Sequence, residues 1–237
     1  MKKLLLVLLA ALPAVLFAQD KIINDANAEA RTVPSFHAIR VATGIQLIIK
    51  QGNVEAVAVS ASDTETRDRI ITEVVDGVLK IYVENKLWGK GAFKYKNLKA
   101  YVSFKYINQF NGVSGSNTTV DGSFTANGLT MGLFSGARFD GEVKGGNLTV
   151  NQGSGAKMYL SGQVRSLTLH TNSGAAFYGY NIEAGKCDAE ASSGSKIEIT
   201  VVGELMADAS SGGKIQYKGE GVIKKVSTGS GGTVRKS

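Results

Sequence analysis

The sequence predicts an all-β fold, a right-handed parallel β-helix built from coils of about 19 residues. The first observation is a repeat: Ser-Gly pairs place a glycine at positions 115, 136, 155, 174, 194, 212 and 231, in steps of 18 to 21 residues. The second is that apolar residues stand two apart, as at Leu148 and Val150, which is the spacing of strands with one buried face. The third is a further glycine in each coil, where a corner is needed: Gly122, Gly141, Gly162, Gly179, Gly203 and Gly219.

Residues 1–18 have the pattern of a secretory signal peptide. Two lysines precede an apolar run that ends at Phe17, and Ala18 stands at the expected cleavage site. The run is short and is interrupted by Pro13, so it does not favour a membrane anchor, and no transmembrane segment is expected after signal removal. We therefore expect an exported protein in the periplasm, on the outer-membrane surface or outside the cell.

The rest of the chain predicts one domain preceded by a leader. Residues 19–32 are polar and without period, which indicates a flexible segment. Residues 33–237 predict a single β-solenoid domain, irregular over 33–110 and regular over 111–237. In the irregular part Asp76-Gly77 indicates a hairpin, which needs antiparallel strands. This part is therefore either an antiparallel layer or a set of irregular coils that caps the first rung.

Positive charge is unevenly placed along a chain whose formal net charge is +7. Residues 85–120 contain six lysines and no acidic residue, and they include the single tryptophan, Trp88. A basic loop with an exposed aromatic residue is a candidate for contact with a glycan or an anionic surface. The alternative is a solvated loop whose aromatic residues cover the end of the core. Nucleic acid is not an expected partner of an exported protein.

Two residue types that often act as nucleophiles, cysteine and serine, occur in this chain in patterns that do not favour catalysis. Cys187, the one cysteine, occupies a column that holds leucine in earlier coils, so we expect it to be a buried apolar residue. A serine precedes every repeat glycine, whereas a catalytic serine is one activated copy beside a base. We therefore expect stacked turns whose hydroxyl groups bond along the stack, with no catalytic residue and no cofactor.

One column of outward residues carries acidic side chains, and we name it the acidic column. It consists of residues that stand four positions before a repeat glycine, with Asp188 beside them: Asn151, His170, Glu190 and Asp208. Oxygen-rich clusters suit calcium, and polysaccharide lyases of β-helix fold hold calcium on such a face. No basic residue suited to catalysis stands nearby, so we expect a solvated face and no metal. A metal or lyase site at His170, Asp188, Glu190 and Asp208 is the alternative.

A second column, on the other side of the Ser-Gly turn, is basic. Its members stand two residues after a repeat glycine, and we name them the basic ladder: Arg138, Lys157, Lys196 and Lys214. Tyr159 and Tyr178 stand beside this column, and Ala176 interrupts it. Cations that recur at rung spacing suit an extended acidic glycan, with tyrosine rings against the sugar faces. An ordinary solvated face is the alternative.

Several segments carry a family resemblance. They are Phe36-His37-Ala38-Ile39-Arg40-Val41, Gly44-Ile45-Gln46-Leu47, Gly77-Val78-Leu79-Lys80-Ile81 and the recurring Ser-Gly-Ala or Ser-Gly-Ser corners. Together they resemble the putative auto-transporter adhesin head GIN domain family, a domain of unknown function common in Bacteroidota. The resemblance covers roughly residues 33–236. It implies an exported β-helix and an adhesin role, and it supplies no catalytic residues.

Our leading hypothesis is a non-enzymatic cell-envelope or surface β-solenoid, an adhesin that binds an acidic glycan or a surface protein. A lyase-like enzyme acting on polysaccharides is one alternative. A self-assembling envelope scaffold is another, because a solenoid with an uncapped last rung can stack end to end. The oligomeric state stays open at this point.

Overall fold

The computed structural model describes residues 25–83 and 97–237. The predicted signal peptide and Trp88 lie outside the described residues. No helix in the described part is long and apolar enough to cross a membrane. The elements are β1 (Glu29–Arg31), β2 (Ala38–Val41), β3 (Gln46–Gln51), β4 (Ala56–Ser60), α1 (Thr64–Asp68), β5 (Ile70–Val75), β6 (Val78–Val83), β7 (Lys99–Phe104), β8 (Gln109–Gly112), β9 (Asn117–Leu133), β10 (Arg138–Gln152), β11 (Lys157–Thr171), β12 (Ala176–Ala191), β13 (Lys196–Ala209), β14 (Lys214–Lys218), β15 (Val222–Thr228) and β16 (Thr233–Lys236).

From β8 onward the strands form a parallel β-solenoid, as the repeat predicts. β10 pairs in parallel with β9 on one side and β11 on the other, and the same pattern continues through β12 and β13. The register follows the repeat, so that Leu148 pairs with Leu167 and Leu167 with Cys187. Each coil therefore lies directly on the previous one, and residues at the same place in the repeat form columns.

The Ser-Gly pairs form tight turns between successive strands. At Ser154-Gly155 both residues have positive φ, 52° and 72°, and the amide of Ala156 donates to the carbonyl of Gly153 at 3.2 Å. Positive φ at both central positions is the feature of a type I′ turn. The amide of Gly155 then donates to the carbonyl of Ser173 in the next coil at 3.0 Å. The turns are thus bonded to one another through the backbone. The hydroxyl groups of the turn serines make no hydrogen bond within the described residues, although the sequence suggested that they would.

Inward side chains fill the solenoid with a continuous apolar core. One of its columns is wholly buried and consists of Phe139, Met158, Phe177, Ile197 and Ile215. Cys187 is free and only 2% exposed, which confirms the prediction of a buried apolar role. Burial, with a smaller contribution from Asp188, raises the pKa of its thiol to about 12, so the group stays protonated and unreactive.

The order of rungs at the N-terminal end differs from the order of the chain. β2 and β3 lie directly below β8 and β9. β6 and β7 come later in the chain but form the rung below β2 and β3. Thr43-Gly44 joins β2 to β3 with positive φ at both residues, and the amide of Gly44 donates to the carbonyl of Ser114. This Thr-Gly turn is the first of the stacked turns. The Ser-Gly pattern missed it because threonine stands in place of serine.

Antiparallel strands cover this end of the solenoid. β5 pairs with β6 through the predicted Asp76-Gly77 hairpin, and β4 pairs with β7. β1 pairs with β4 on the outside, so residues 29–31 belong to the folded layer although the sequence predicts a flexible leader there. The sequence left open whether the N-terminal part is a set of coils or an antiparallel layer. The structure contains both, because two parallel rungs are followed by an antiparallel cap. The cap occupies an edge that would otherwise be open to pairing.

A partly buried ion pair ties the first described residues to β7. The carboxylate of Asp25 accepts from the Tyr101 hydroxyl at 2.9 Å and from Lys99 Nζ at 3.2 Å. Partial burial would raise the pKa of Asp25, but the hydrogen bonds, chiefly from Tyr101 and the Asn27 amide, outweigh it and lower the pKa to about 2. Burial and the neighbouring carboxylate together raise the pKa of Tyr101 to about 12.

We expect Gly194→Val to lower the free energy of unfolding by about 1–2 kcal/mol, because a β-branched residue must then adopt a positive φ. The φ of Gly194 is 71°, and an added Cβ would meet no atom within 4 Å, so the cost is conformational and not a clash. Thermal and urea denaturation measure it. The control Ser193→Ala should cost less, since it removes a hydroxyl without a partner in the described residues. An unchanged melting temperature for Gly194→Val would rule out the turn assignment.

Stability should fall at low pH through Asp25. Folding lowers the pKa of Asp25 from 3.8 to about 2. The carboxylate therefore stabilises the fold fully at a pH above its pKa in the unfolded state, and this stabilisation is lost as the pH falls through its pKa in the folded state. We expect the difference in stability between the wild type and Asp25→Asn to shrink as the pH is lowered from about 5 to about 2. Denaturation series at several pH values test this. A difference that is independent of pH would contradict the role of the carboxylate.

Candidate functional site

Two outward faces of the solenoid meet at the Ser-Gly turn and carry different side chains. The basic ladder lies on the face that follows the turn, and the acidic column lies on the face that precedes it. Because the register is regular, each predicted column can be followed from rung to rung, at the strand spacing of about 4.8 Å.

The structure places the basic ladder as predicted. Arg138 pairs with Lys157, Lys157 with Ala176, Ala176 with Lys196, and Lys196 with Lys214. The four cations therefore lie in one column over five adjacent strands, with a gap at Ala176.

Two of the cations are held by acidic and aromatic neighbours. Arg138 pairs with Asp140 at 3.0 Å, and its guanidinium lies 3.9 Å from the centre of the Tyr159 ring. Lys196 pairs with Glu198 at 2.5 Å and lies 5.5 Å from the centre of the Tyr178 ring. The hydrogen bond from Lys196 to Glu198 raises the pKa of the ammonium group, against a smaller opposing effect of partial burial. Both cations are thereby fixed in place.

The two tyrosine rings are stacked on each other between these cations. Their centres are 4.7 Å apart and their planes differ by 16°. Tyr159 thus has Arg138 on one face and Tyr178 on the other, and Tyr178 has Tyr159 and Lys196. Only ring edges and hydroxyl groups remain for a ligand. The sequence predicted sugar contact through the ring faces, and this arrangement leaves those faces occupied.

Lys157 and Lys214 are the open members of the basic ladder. Within the part of the chain that the structure describes, neither ammonium group has an acidic partner, and both side chains are exposed. They lie three strands apart, about 14 Å at the usual strand spacing. An anionic ligand that bridges them must be longer than one sugar residue.

The acidic column is also formed in register, but its members do not converge. Asn151 pairs with His170, His170 with Glu190, and Glu190 with Asp208. The contact within it is between His170 Nδ1 and Glu190 Oε2, at 2.8 Å. Asp188 lies two residues from Glu190 on the same strand. Among residues 25–83 and 97–237 there is no group of three or more His, Cys, Asp or Glu side chains placed to hold a metal ion.

A groove on this face was not predicted from the sequence. The acidic column continues through Asn151 to Gly132 and Asn111, and these three residues line a groove of about 420 Å³. A second groove, of about 470 Å³, lies nearer the N-terminal end and includes Arg40, Glu73 and Lys80. The sequence signal for the groove is Gly132, a glycine at an outward position of the repeat. It does not stand out in a chain that contains 29 glycines.

Comparison with known proteins gives a family and a fold. The family model described as "Putative auto-transporter adhesin, head GIN domain" matches residues 35–221. Among curated proteins there is no match. The crystal structure of a putative adhesin from Bacteroides fragilis has a TM-score of 0.79 at 18% identity, over 89% of this chain and 96% of that one.

Two structures from Parabacteroides are also similar. A putative lipid binding protein from Parabacteroides distasonis has a TM-score of 0.68 at 18% identity, over 90% of this chain and 98% of that one. A putative adhesin from Parabacteroides merdae has a TM-score of 0.70 at 15% identity, over 89% of this chain and 95% of that one. At these identities the likeness concerns the fold.

We expect calcium to leave the melting temperature unchanged, because Asp188, Glu190 and Asp208 lie along the sheet and do not surround a common point. Calorimetric titration with calcium is the direct measurement. Micromolar binding that is lost in Asp188→Ala would instead support the lyase-like alternative. Asp121→Ala, at an exposed carboxylate that pairs with Lys50 on the other face, is the matched control.

Proposed function

The chain belongs to the family of putative auto-transporter adhesins with a head GIN domain, and from this membership we propose that it is an exported, non-enzymatic adhesin that binds an acidic glycan. The observation that carries the proposal is the basic ladder, a column of cations held in register by parallel strand pairing. Export and a cell-surface location are part of the proposal and follow from the family.

The charges of the ladder support an extended anionic ligand. Asp140 and Glu198 neutralise Arg138 and Lys196 within the sheet. The open cations are Lys157, on the same strand as Tyr159, and Lys214, one strand beyond Lys196. A carboxylate or sulfate group reaching either of them meets an ammonium group that has no competing acid in the described part of the chain. A polymer with repeated acidic groups can engage both at once.

The rigidity of the stack also favours binding. The rings of Tyr159 and Tyr178 lie between Arg138 and Lys196, and neither hydroxyl group has a hydrogen-bond partner in the described residues. A ligand therefore does not bear the entropic cost of ordering these side chains. The hydroxyl groups can donate to the oxygen atoms of a sugar chain lying along the ladder.

Binding of this kind is weak at each contact and depends on length. An exposed ion pair contributes about 0–1 kcal/mol, and salt screens it. Affinity then grows with the number of acidic groups that the glycan presents to the two open lysines. A short oligosaccharide should bind poorly, and a long polymer should be retained at low salt.

The two alternatives have less support in the structure. For a lyase-like enzyme, His170 and Glu190 are the members of the acidic column in contact, and a histidine–carboxylate pair on an open face gives no enclosed site. For a scaffold, β15 is largely exposed, with Ile223 at 47% and Val226 at 45%. Its two lysines, at positions 224 and 225, place positive charge at that edge, which is a common protection against strand pairing. A surface protein with an acidic patch is the other class of partner that would suit the same ladder.

We expect the double variant Lys157→Glu/Lys214→Glu to lose retention on an acidic-glycan column at low salt. The change replaces both open cations with repelling charges, while the stack and its hydrogen bonds stay intact. Retention of the wild type should fall as salt is raised, and the melting temperature of the variant should match that of the wild type. Elution position and thermal melts are the measurements.

The matched control is Lys105→Glu/Lys225→Glu, which changes the net charge equally at exposed lysines outside the ladder. It should elute close to the wild type. If the ladder variant is retained like the control, the ladder is not the binding site. The segment around Trp88 is then the next candidate.

A further inference from the structure

The groove over Gly132 lies along one outward column, on the face that precedes the Ser-Gly turn and does not carry the basic ladder. Asn111, Gly132 and Asn151 follow one another on adjacent strands. A Cβ added to Gly132 would lie 2.4 Å from Asn111 Oδ1 and 3.2 Å from the ring of Phe134. The glycine lets the Asn111 amide and the Phe134 ring lie against the backbone at this position, and any side chain there would displace them.

The lining of the groove is uncharged and rich in amide groups. It consists of Gln109, Asn111, Thr130, Gly132, Phe134, Asn151, Gln152, His170 and Asn172. The one titratable member, His170, directs Nδ1 to Glu190 at 2.8 Å. Its other ring nitrogen has no partner in the described residues. Apart from His170, none of these side chains is an acidic or basic group, so the groove favours a neutral ligand.

The amide groups at the rim are free to bind a ligand. Within the described residues, the side chains of Gln109, Asn111, Asn151 and Asn172 have no hydrogen-bond partner. Each offers one acceptor oxygen and two donor hydrogens. Sugar hydroxyl groups also donate and accept at once, so a row of amides on adjacent strands matches a ring of hydroxyl groups. Charged side chains would offer only one of the two roles.

Phe134 supplies an apolar surface at the same place. It is 37% exposed, whereas the other phenylalanines among the described residues are buried, and its ring also lies close to Gly153, 3.3 Å from an added Cβ there. The ring is thus held against Gly132 and Gly153 beside the amide groups. The face of an aromatic ring is electron-rich and attracts the C–H groups of a pyranose. Aromatic and amide groups together fit a neutral sugar.

We infer that this groove is a binding site for a neutral sugar residue, distinct from the basic ladder in position and in ligand class. The volume of about 420 Å³ suits one or two pyranose rings. Because the site is uncharged and open to solvent, a single sugar binds weakly and without dependence on salt. The inference does not rest on the proposed binding of acidic glycans, since no residue is shared between the two sites.

Saturation-transfer NMR with the mature protein tests the site. The probes are the methyl glycosides of glucose, galactose, mannose and N-acetylglucosamine, with glucuronate as the acidic probe. We expect at least one neutral glycoside to bind with millimolar affinity that is equal at low and high salt. Gly132→Ala and Phe134→Ala should each weaken that binding by about tenfold or more. The first displaces the Asn111 amide, whose Oδ1 lies where the added Cβ would be, and the second removes the apolar wall of the groove.

Two control variants distinguish binding in the groove from binding elsewhere on the solenoid. Asn117→Ala removes an exposed asparagine from the other face of the same strand and should bind like the wild type. Lys157→Glu/Lys214→Glu should also bind the neutral glycoside normally, whether or not it loses acidic glycans. The inference is wrong if no neutral glycoside binds, if glucuronate alone binds, or if both groove variants bind like the wild type. Thermal melts confirm that the variants are folded.

Discussion

Successive Ser-Gly turns are joined by a backbone hydrogen bond, and the register that defines every face of the solenoid is set there. The glycine amide of one turn donates to the serine carbonyl of the next at 3.0 Å, from Gly44 through Gly194. This bond extends the parallel ladder around the corner between two strands, so the backbone stays paired where a loop would otherwise interrupt it. The turn requires positive φ at two consecutive residues, and the serines accept this at a cost that every coil repeats.

The surface chemistry follows from that regular stacking. When the register is fixed, outward residues at the same place in the repeat lie about 4.8 Å apart, and each column becomes a row of side chains on one face. The basic ladder is one such row, and its charges are compatible because Asp140 and Glu198 and two tyrosine rings lie between them. The column of Asn111, Gly132 and Asn151 is another, and there the glycine lets the Asn111 amide and the Phe134 ring approach the backbone. The solenoid can thus present different ligand chemistry on faces that share one backbone.

The N-terminal end shows how the same stacking is closed. A solenoid rung has two open edges, and the rung of β6 and β7 is covered by β4 and β5 in antiparallel pairing. In this arrangement β2 and β3 lie between the rung of β6 and β7 and the rung of β8 and β9, although they come first in the chain. Asp25 then binds β7 from outside through Tyr101 and Lys99. At the other end β15 and β16 carry four basic residues and no acid.

Periodic spacing in the chain was enough to predict the solenoid, its turns, its columns and the buried state of Cys187, because a parallel register converts such spacing directly into neighbours. Thr43-Gly44, the pairing of β1 and the order of the first rungs emerged from the folded molecule alone, since they depend on contacts between residues far apart in the chain. The basic ladder shows the same division. Its membership could be read from the spacing, but the occupied faces of Tyr159 and Tyr178 and the two open lysines could not. Rotamers and distances in the folded sheet decide which neighbour each side chain contacts. The spacing of residues along the chain does not determine these rotamers and distances.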